Sequence, residues 1–455
     1  MSIGPDVIIV GAGAAGLTAA AALGDAGLSV TLIEARDRIG GRIFTLYDAK
    51  HNAPVELGAE FIHGLPPETL TLLNRRQIRI REVDGDSWCS VDGKLGTCGF
   101  FSDVESILDK LDDRKPDQSF LDFLEGCCPR DNSDDRQRQS REWALGYVSG
   151  FNAADPAIVG VHWLVNGRRA EEKIEGDRAF RAEHGYADLI DVFQEQLTAA
   201  NVSLSKSSSV EEIRWSPGRA ELVVRGPEGA FVMSAPRVLI TVPLGVLQAR
   251  RGEKGAIRFV PELPEQKQNA IRNVTMGKAA RVVLRFRERF WKDLPSGNNF
   301  SKTMDGMSFL FSHDDFFPTW WTSLPEKLPF LVGWAPFRAA EKLAGQDQSL
   351  VIEQSLITLH RLLGVSVREL EERFEHAYFH DWQTDPFSRG AYSYGKVGGD
   401  GMEDALGRPI DNTLFFAGEA TDIGGRNGTV HGAIASGKRA AAEILPMTAG
   451  TKLRA

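Results

Sequence analysis

Residues Val7–Gly16 read VIIVGAGAAG, and no other segment narrows the possible folds of this chain so far. Val7–Val10 are β-formers without a polar interruption, the pattern of a parallel strand buried on both faces. Gly11, Gly13 and Gly16 have fingerprint spacing: one makes a tight turn, one lets backbone approach a pyrophosphate, one lets helix pack on strand. The amides of Ala14, Ala15 and Gly16 then open a helix whose N-terminus attracts phosphate charge. Thr18–Leu23 continues that helix, Gly27 ends it, and Ser29–Ile33 makes the next strand. Glu34, followed by Ala35 and Arg36, lies 18 residues beyond Gly16, where a carboxylate accepts the hydroxyls of a ribose diol. An acid there disfavours a 2′-phosphate, so the expected ligand is a dinucleotide other than NADP. A signal peptide is a poor reading of the uncharged run Val7–Gly24, because no Lys or Arg precedes it and glycines interrupt it.

The chain has 455 residues, which suggests two to three domains with ample core. Its 42% hydrophobic and 25% charged residues are those of a soluble globular protein. A net charge of −9 and a pI of about 5.6 imply no general affinity for nucleic acid or anionic membranes. Four cysteines, Cys89, Cys98, Cys127 and Cys128, are too few for a disulfide framework. None stands at metal-ligand spacing with a histidine, so free thiols, a cytoplasmic location and no metal are expected; Cys127-Cys128 leaves a vicinal disulfide open.

Asn412–Phe416 reads as a strand, followed by a glycine-rich turn and a helix over Val430–Leu445. Val210–Ile213, Glu221–Arg225 and Phe231–Met233 alternate like short strands, and Val238–Val242 reads as a buried one. Asp103–Glu125, Tyr186–Leu197 and Gln348–Leu363 have helical periodicity. Arg281–Phe286 is an expected strand, and Thr319–Thr322 pairs with Phe330–Trp334. Asp131–Arg141 reads as a charged, solvated stretch. The expected fold is α/β: a Rossmann-like nucleotide-binding unit from residues 1–80, 207–264 and 384–447, interleaved with an α+β unit of mixed sheet and helices from 81–206 and 265–383. Residues 448–455 form a polar tail.

Several further segments, in order, resemble the flavin-containing amine oxidase family of monoamine oxidases, polyamine oxidases and flavin histone demethylases. They are Gly40-Gly41-Arg42, LGAEFIHG at 57–64, Val210-x-x-Ile213, TVPLGVL at 241–247, WQTDPFSRGAYSY at 382–394, FFAGEATD at 415–422 and GTVHGAIASGKRAA at 428–441. The resemblance implies FAD in an extended conformation. Gly41 and Arg42 then approach the pyrophosphate, and Gly58, Ala59, Glu60 and Phe61 run beside the isoalloxazine. Val210 meets adenine through its backbone, Trp382 packs at the flavin, and Gly418 and Glu419 meet the ribityl–phosphate region. Thr429 and Val430 present helix N-terminal amides to the pyrimidine end, where negative charge develops on reduction. The implied reaction is oxidation of an amine to an imine, hydrolysed to an aldehyde or ketone, with O2 reduced to H2O2.

Four residues shape the expected pocket. Tyr392 matches one aromatic of the substrate cage, while Thr429 occupies the second cage position. Ala391 stands where monoamine oxidases carry the cysteine that binds flavin, so FAD should be noncovalent. Arg281 occupies the place of the family lysine that holds water against flavin N5, and Lys278, three residues earlier, faces the other way. His63 matches a position that steers a distal amine, and Glu60 either lines the pocket or forms a salt bridge elsewhere. His431 reads as a packing residue of the last helix, and only one of Trp320 and Trp321 can face the cavity. The expected activity is an amine oxidase acting on a primary or secondary amine or a polyamine, with no nucleic-acid or membrane partner. An L-amino-acid oxidase, or a flavoprotein dehydrogenase favoured by Arg281, is the alternative.

Overall fold

The computed structural model describes residues 4–91, 93–131, 134–297 and 302–449. Val7–Val10 is the centre of a five-stranded sheet with neighbour order Ser203–Ser205, Val30–Ile33, Val7–Val10, Arg237–Ile240, Leu414–Phe416. Every pairing in it is parallel, and the three central strands are almost wholly buried. Helices Ala14–Asp25, Ala187–Ala199 and Val430–Ala449 cover one face through Leu17, Leu23, Leu189, Phe193 and Ile434. A four-stranded sheet (Gly229–Ala235, Arg219–Gly226, Ser209–Ser216, Arg258–Val260) and helix Glu265–Asn273 cover the other. This three-layer stack explains why the parallel strands read as unbroken apolar runs.

The second large sheet has seven strands, ordered Phe374–Phe379, Ala279–Phe286, Phe330–Pro336, Thr319–Thr322, Met307–Ser312, Asp86–Val91 and Lys94–Thr97. All its pairings are antiparallel except that of Met307–Ser312 with Asp86–Val91. Gln348–Leu363, the helix expected over those residues, packs Val351, Leu356 and Leu359 on one face of it. A set of helices between Phe100 and Glu172 gathers beside the sheet around Phe120, Trp143 and Phe311. No single helix among the described residues is long and apolar enough to cross a membrane.

Several expectations are corrected. Helix Ala187–Ala199 and strand Ser203–Ser205, assigned by sequence to the second unit, pack on the parallel sheet; three residues reading SLS carry no strand signal. The helical stretch 103–125 is two helices, Phe100–Leu108 and Phe120–Cys127, separated by a segment containing Pro116. The second is capped by Ser119 Oγ, which accepts the Asp122 amide at 3.0 Å. The charged run 131–141 enters helix Asp135–Gly150, and Arg141 is buried, donating to Glu125 (2.6 Å) and the Cys128 carbonyl (2.9 Å). Cys89 and Cys98 are disulfide-bonded with Cα atoms 5.8 Å apart, because the hairpin through Gly93 folds the chain back on itself. Cys127 and Cys128 are free thiols, their sulfurs 2.7 Å apart. Of the expected polar tail, the helix reaches Ala449 and residues 450–455 lie outside the described residues.

Candidate active site

One connected cavity of about 1260 Å³ runs from the glycine turn to the face of the seven-stranded sheet. That is larger than the ~300–1,000 Å³ of ordinary small-molecule sites, enough for an extended cofactor and a further small ligand. At its first end Gly11 turns at φ +103°, and nothing lies within 4 Å of where a Gly13 side chain would start. A Cβ on Gly16 would sit 2.0 Å from the Gly11 carbonyl, so that glycine serves helix–strand packing and lies outside the cavity wall. Glu34 is buried and accepts the Ala12 amide at 2.8 Å and the Arg36 amide at 2.9 Å, which fixes its carboxylate at the tip of the second strand. Arg36 is held by Asp385 at 2.8 Å, and Val210 lines the wall beside a bulge between residues 210 and 212.

Farther along, Arg42 donates to the Ala391 carbonyl (2.6 Å) and to Glu419 (3.0 Å). Glu419 also accepts the Ser393 hydroxyl (2.6 Å) and the Gly428 amide (2.8 Å), so one buried carboxylate joins four segments of the wall. Thr429 Oγ1 accepts the Gly432 amide at 2.9 Å and caps the last helix, leaving the first-turn amides beside Val430 at the cavity. Trp382 donates to the Leu57 carbonyl at 2.6 Å, and a Cβ on Gly58 would meet the Arg42 carbonyl at 1.8 Å. These groups make a wall of backbone and small residues on that side of the cavity.

At the second sheet the sequence-derived pair Arg281 and Glu60 form a buried ion pair. Glu60 accepts in addition from Arg181 Nε (2.9 Å) and Nη2 (2.6 Å) and from Trp321 Nε1 (3.0 Å). Burial pushes the Glu60 carboxyl up, but Arg181 and Arg281 outweigh it and hold the group below its ordinary range. Burial pulls the Arg281 pKa down, against the opposing charge of Glu60. Nη1 of Arg281 donates to the Gly58 carbonyl at 2.6 Å and the Glu56 carbonyl at 3.1 Å; its buried Nε has no partner. Glu56, wholly buried behind this network, is pushed up to about 7 by desolvation. Lys278 is half exposed and paired with Glu341 at 2.7 Å, sharing no partner with Arg281.

Tyr392 donates to the Phe151 carbonyl at 2.6 Å, and burial pushes its phenol up. His63 lies edge-on to Phe151, ring centres 5.2 Å apart, and also contacts Phe61. Burial, with His431 as a second cause, pushes His63 down to about 4; burial, then Arg426, does the same to His431. Both rings are therefore neutral at pH 7, and His431 reaches the cavity from the start of the last helix. Trp321 lines the cavity while Trp320 is packed in the core, as strand alternation requires.

The structure brings Ala14, Ala15, Ala35, Gly41, Ala59, Phe61 and Gly418 to the same cavity as the residues above, so of the site residues named from sequence only Gly16 lies off its wall. Sequence reasoning missed Glu56 and Arg181. Arg181 is 121 residues from Glu60 in a four-residue strand, Ala179–Ala182, and no local pattern signals it.

A family model described as flavin containing amine oxidoreductase matches residues 14–87 and 105–445. Lysine-specific histone demethylase 1 homolog 2 of Arabidopsis thaliana is 29% identical over 464 residues, covering 96% of this chain and 58% of that protein. Polyamine oxidase 3 of Oryza sativa subsp. japonica is 28% identical over 466 residues, covering 96% and 89%. The chain thus spans 58% and 30% of the lengths of the first two relatives, both plant demethylase homologues. Among solved structures, putrescine oxidase bound to putrescine superposes with a TM-score of 0.78 at 22% identity, over 98% of this chain and 99% of that one, a likeness of fold.

Proposed function

We propose that this chain, which belongs to the flavin-containing amine oxidoreductase family, is an FAD-dependent oxidase of primary or secondary amines or polyamines. Membership makes it a flavin oxidoreductase acting on amines; the cofactor's identity, its noncovalent attachment and the use of O2 are the reading argued here. The observation that carries it is the continuity of the cavity, with a dinucleotide-type glycine turn and Glu34 at one end and Arg281, Tyr392 and Trp321 at the other.

Flavin, when bound, accepts a hydride equivalent from the carbon bearing nitrogen, and its reoxidation by O2 yields H2O2. The chain's own residues do the rest. Glu34 would hold the ribose, Gly13 would admit the pyrophosphate, and Arg42, anchored by Glu419, would add positive charge beside it. The capped amides at Thr429 and Val430 favour negative charge at the ring's pyrimidine end. Ala391 offers no thiol, so attachment is noncovalent. The neutral rings of His63 and His431 and the aromatic wall of Tyr392, Phe61 and Trp321 exclude water and leave the amine's lone pair uncompensated by acid.

Arg281 and Arg181 share a single carboxylate, so the inner pocket carries net positive charge, which favours the unprotonated amine. Nη1 and Nη2 of Arg281 are engaged by two carbonyls and Glu60 and only Nε lacks a partner, which leaves no free pair of nitrogens for a substrate carboxylate and counts against an amino-acid oxidase. Arg281 in place of the family lysine favours a second reading, in which reoxidation uses an acceptor other than O2. Anaerobic addition of amines followed by air decides. Bleaching of the flavin band and its return with peroxide is expected; bleaching without return establishes the dehydrogenase, and purified protein that holds no flavin overturns both. Yellow colour retained in an acid pellet would overturn noncovalent attachment.

A further inference from the structure

Outside the cavity, the amine reaction leaves one reactive group of side chains unused. Cys127 ends helix Phe120–Cys127 and Cys128 follows it, with the two sulfurs 2.7 Å apart and joined by a hydrogen bond. Burial, then that bond to Cys128, pushes the Cys127 thiol up to about 12, so Cys127 is the sulfur that keeps its proton. Cys128 is the acceptor, and it also receives the Lys110 ammonium at 3.6 Å. Among the described residues Lys110 has no carboxylate partner. The C-terminal end of a helix disfavours an anion. Arg141, which also pairs with Glu125, offsets that end's negative charge by donating to the Cys128 carbonyl at 2.9 Å. A thiolate at Cys128 thus has a donor in Cys127 and a cation in Lys110, the surroundings that activate a cysteine.

The same neighbours count against a soft metal ion, which both cations would repel. Among the described residues no histidine or carboxylate joins the sulfurs as a third ligand. Cys127 is half-buried and Cys128 buried, but the Lys110 side chain that touches the Cys128 sulfur is exposed. A rotamer change of that lysine opens a path for a small oxidant.

We propose that Cys127 and Cys128 form a reversible two-electron redox site, oxidised to a vicinal disulfide by a hydroperoxide. The Cys128 thiolate attacks one peroxide oxygen: an S–O bond forms, the O–O bond breaks, and hydroxide leaves. That hydroxide takes the Cys127 proton and becomes water. The Cys127 sulfur then attacks the Cys128 sulfur; the S–S bond forms, the S–O bond breaks, and a second hydroxide leaves. It takes up from solvent the proton that Cys128 released on ionising. Two thiols and one H2O2 thus give one disulfide and two waters. The bridge closes a small ring around a single peptide bond, so it is strained and readily reduced by a dithiol. Oxidation also removes the anion facing Lys110, which stands between Asp109 and Leu111 on the cavity wall. The site stands apart from the amine-oxidase reading, since its oxidation needs peroxide and no flavin.

The test treats the full-length protein, as purified and without amine, with a slight excess of H2O2. Catalase then removes the excess, and the denatured chain is alkylated and its peptide masses read without reduction. Before treatment both Cys127 and Cys128 should be labelled. Afterwards both labels should vanish together from a peptide two hydrogens lighter than the dithiol, and dithiothreitol should restore them. Cys127→Ser should stop at a sulfenic acid on Cys128, trapped by dimedone. Lys110→Met should slow oxidation by about tenfold with far-UV circular dichroism unchanged. Labels that persist on both cysteines, or pairing that is as fast in urea-unfolded protein, overturn the proposal. Oxidation of Lys110→Met at the wild-type rate overturns Cys128 as the activated sulfur.

Discussion

Glu56 and Glu60 lie four residues apart and are both buried, yet their neutral replacements should act in opposite directions. Glu56 accepts the Tyr186 amide at 2.7 Å and the Thr45 hydroxyl at 2.8 Å, but has no paired cation. Desolvation dominates, and its carboxyl rises from an ordinary value near 4.5 to about 7. A carboxyl whose folded pKa is raised binds more protons in the native than in the unfolded state. Stability is therefore lost as pH climbs from about 4.5 to 7, by roughly 3 kcal/mol at 1.36 kcal/mol per tenfold change in protonation. Glu56→Gln cannot ionise and keeps a carbonyl for the Tyr186 amide, while the Thr45 hydroxyl can turn to accept from the new NH2, at a cost of about 1 kcal/mol for imperfect geometry. The variant should gain on wild type by ~2–3 kcal/mol between pH 5 and pH 8 and be the more stable protein at the upper end. Urea unfolding followed by far-UV circular dichroism at the two pH values measures the difference directly, since other titrating groups cancel between the proteins. A gap that stays constant with pH, or a variant less stable than wild type at pH 8, refutes the reasoning.

Glu60→Gln should do the reverse, lowering stability at pH 7 by ~2–4 kcal/mol, because Arg181 and Arg281 are left buried without a counter-charge. Its folded pKa is depressed, so this stabilisation is present above the ordinary carboxylate range and lost as pH falls through it; the same urea melts at pH 7 and pH 4 should show the gap shrink with acid. Gly58→Ala should fold but lose flavin, read as a fall in the ratio of flavin to protein absorbance, since a Cβ there meets the Arg42 carbonyl at 1.8 Å and the wall must move. Full flavin content in that variant would show that the wall at Gly58 is pliable. Alkylation of the denatured, unreduced protein should label Cys127 and Cys128 and spare Cys89 and Cys98; four labelled cysteines would exclude the disulfide.

What could be read from sequence was what short-range backbone physics dictates. The turn at Gly11, the packing of Gly16 and the acid at Glu34 are set within one strand–helix–strand unit, and each has one residue type that fits. Thr319–Thr322 against Phe330–Trp334 was legible for the same reason, as two alternating runs joined by a short connection. Arg141 was not, because a charged run gives no sign of which member the helix turns inward. Cys89 and Cys98 were misread as thiols because their pairing follows from hairpin register, which cysteine spacing does not encode.

The same distinction governs Arg281. Sequence exposes it as a cation where the family resemblance implies a lysine, which invites the view that one basic group has replaced another. The structure makes the exchange depend on several residues at once. A guanidinium, unlike an ammonium, keeps its charge when buried, and its planar fork must be filled. Glu60 supplies the counter-charge, the carbonyls of Glu56 and Gly58 take one nitrogen, and Arg181 with Trp321 immobilises Glu60. The positive charge of Arg281 is thus fixed in place and insensitive to pH over the neutral range, whereas a lone buried lysine would titrate with its surroundings. A fixed cation at the inner end of the cavity disfavours an ammonium beside it at any neutral pH.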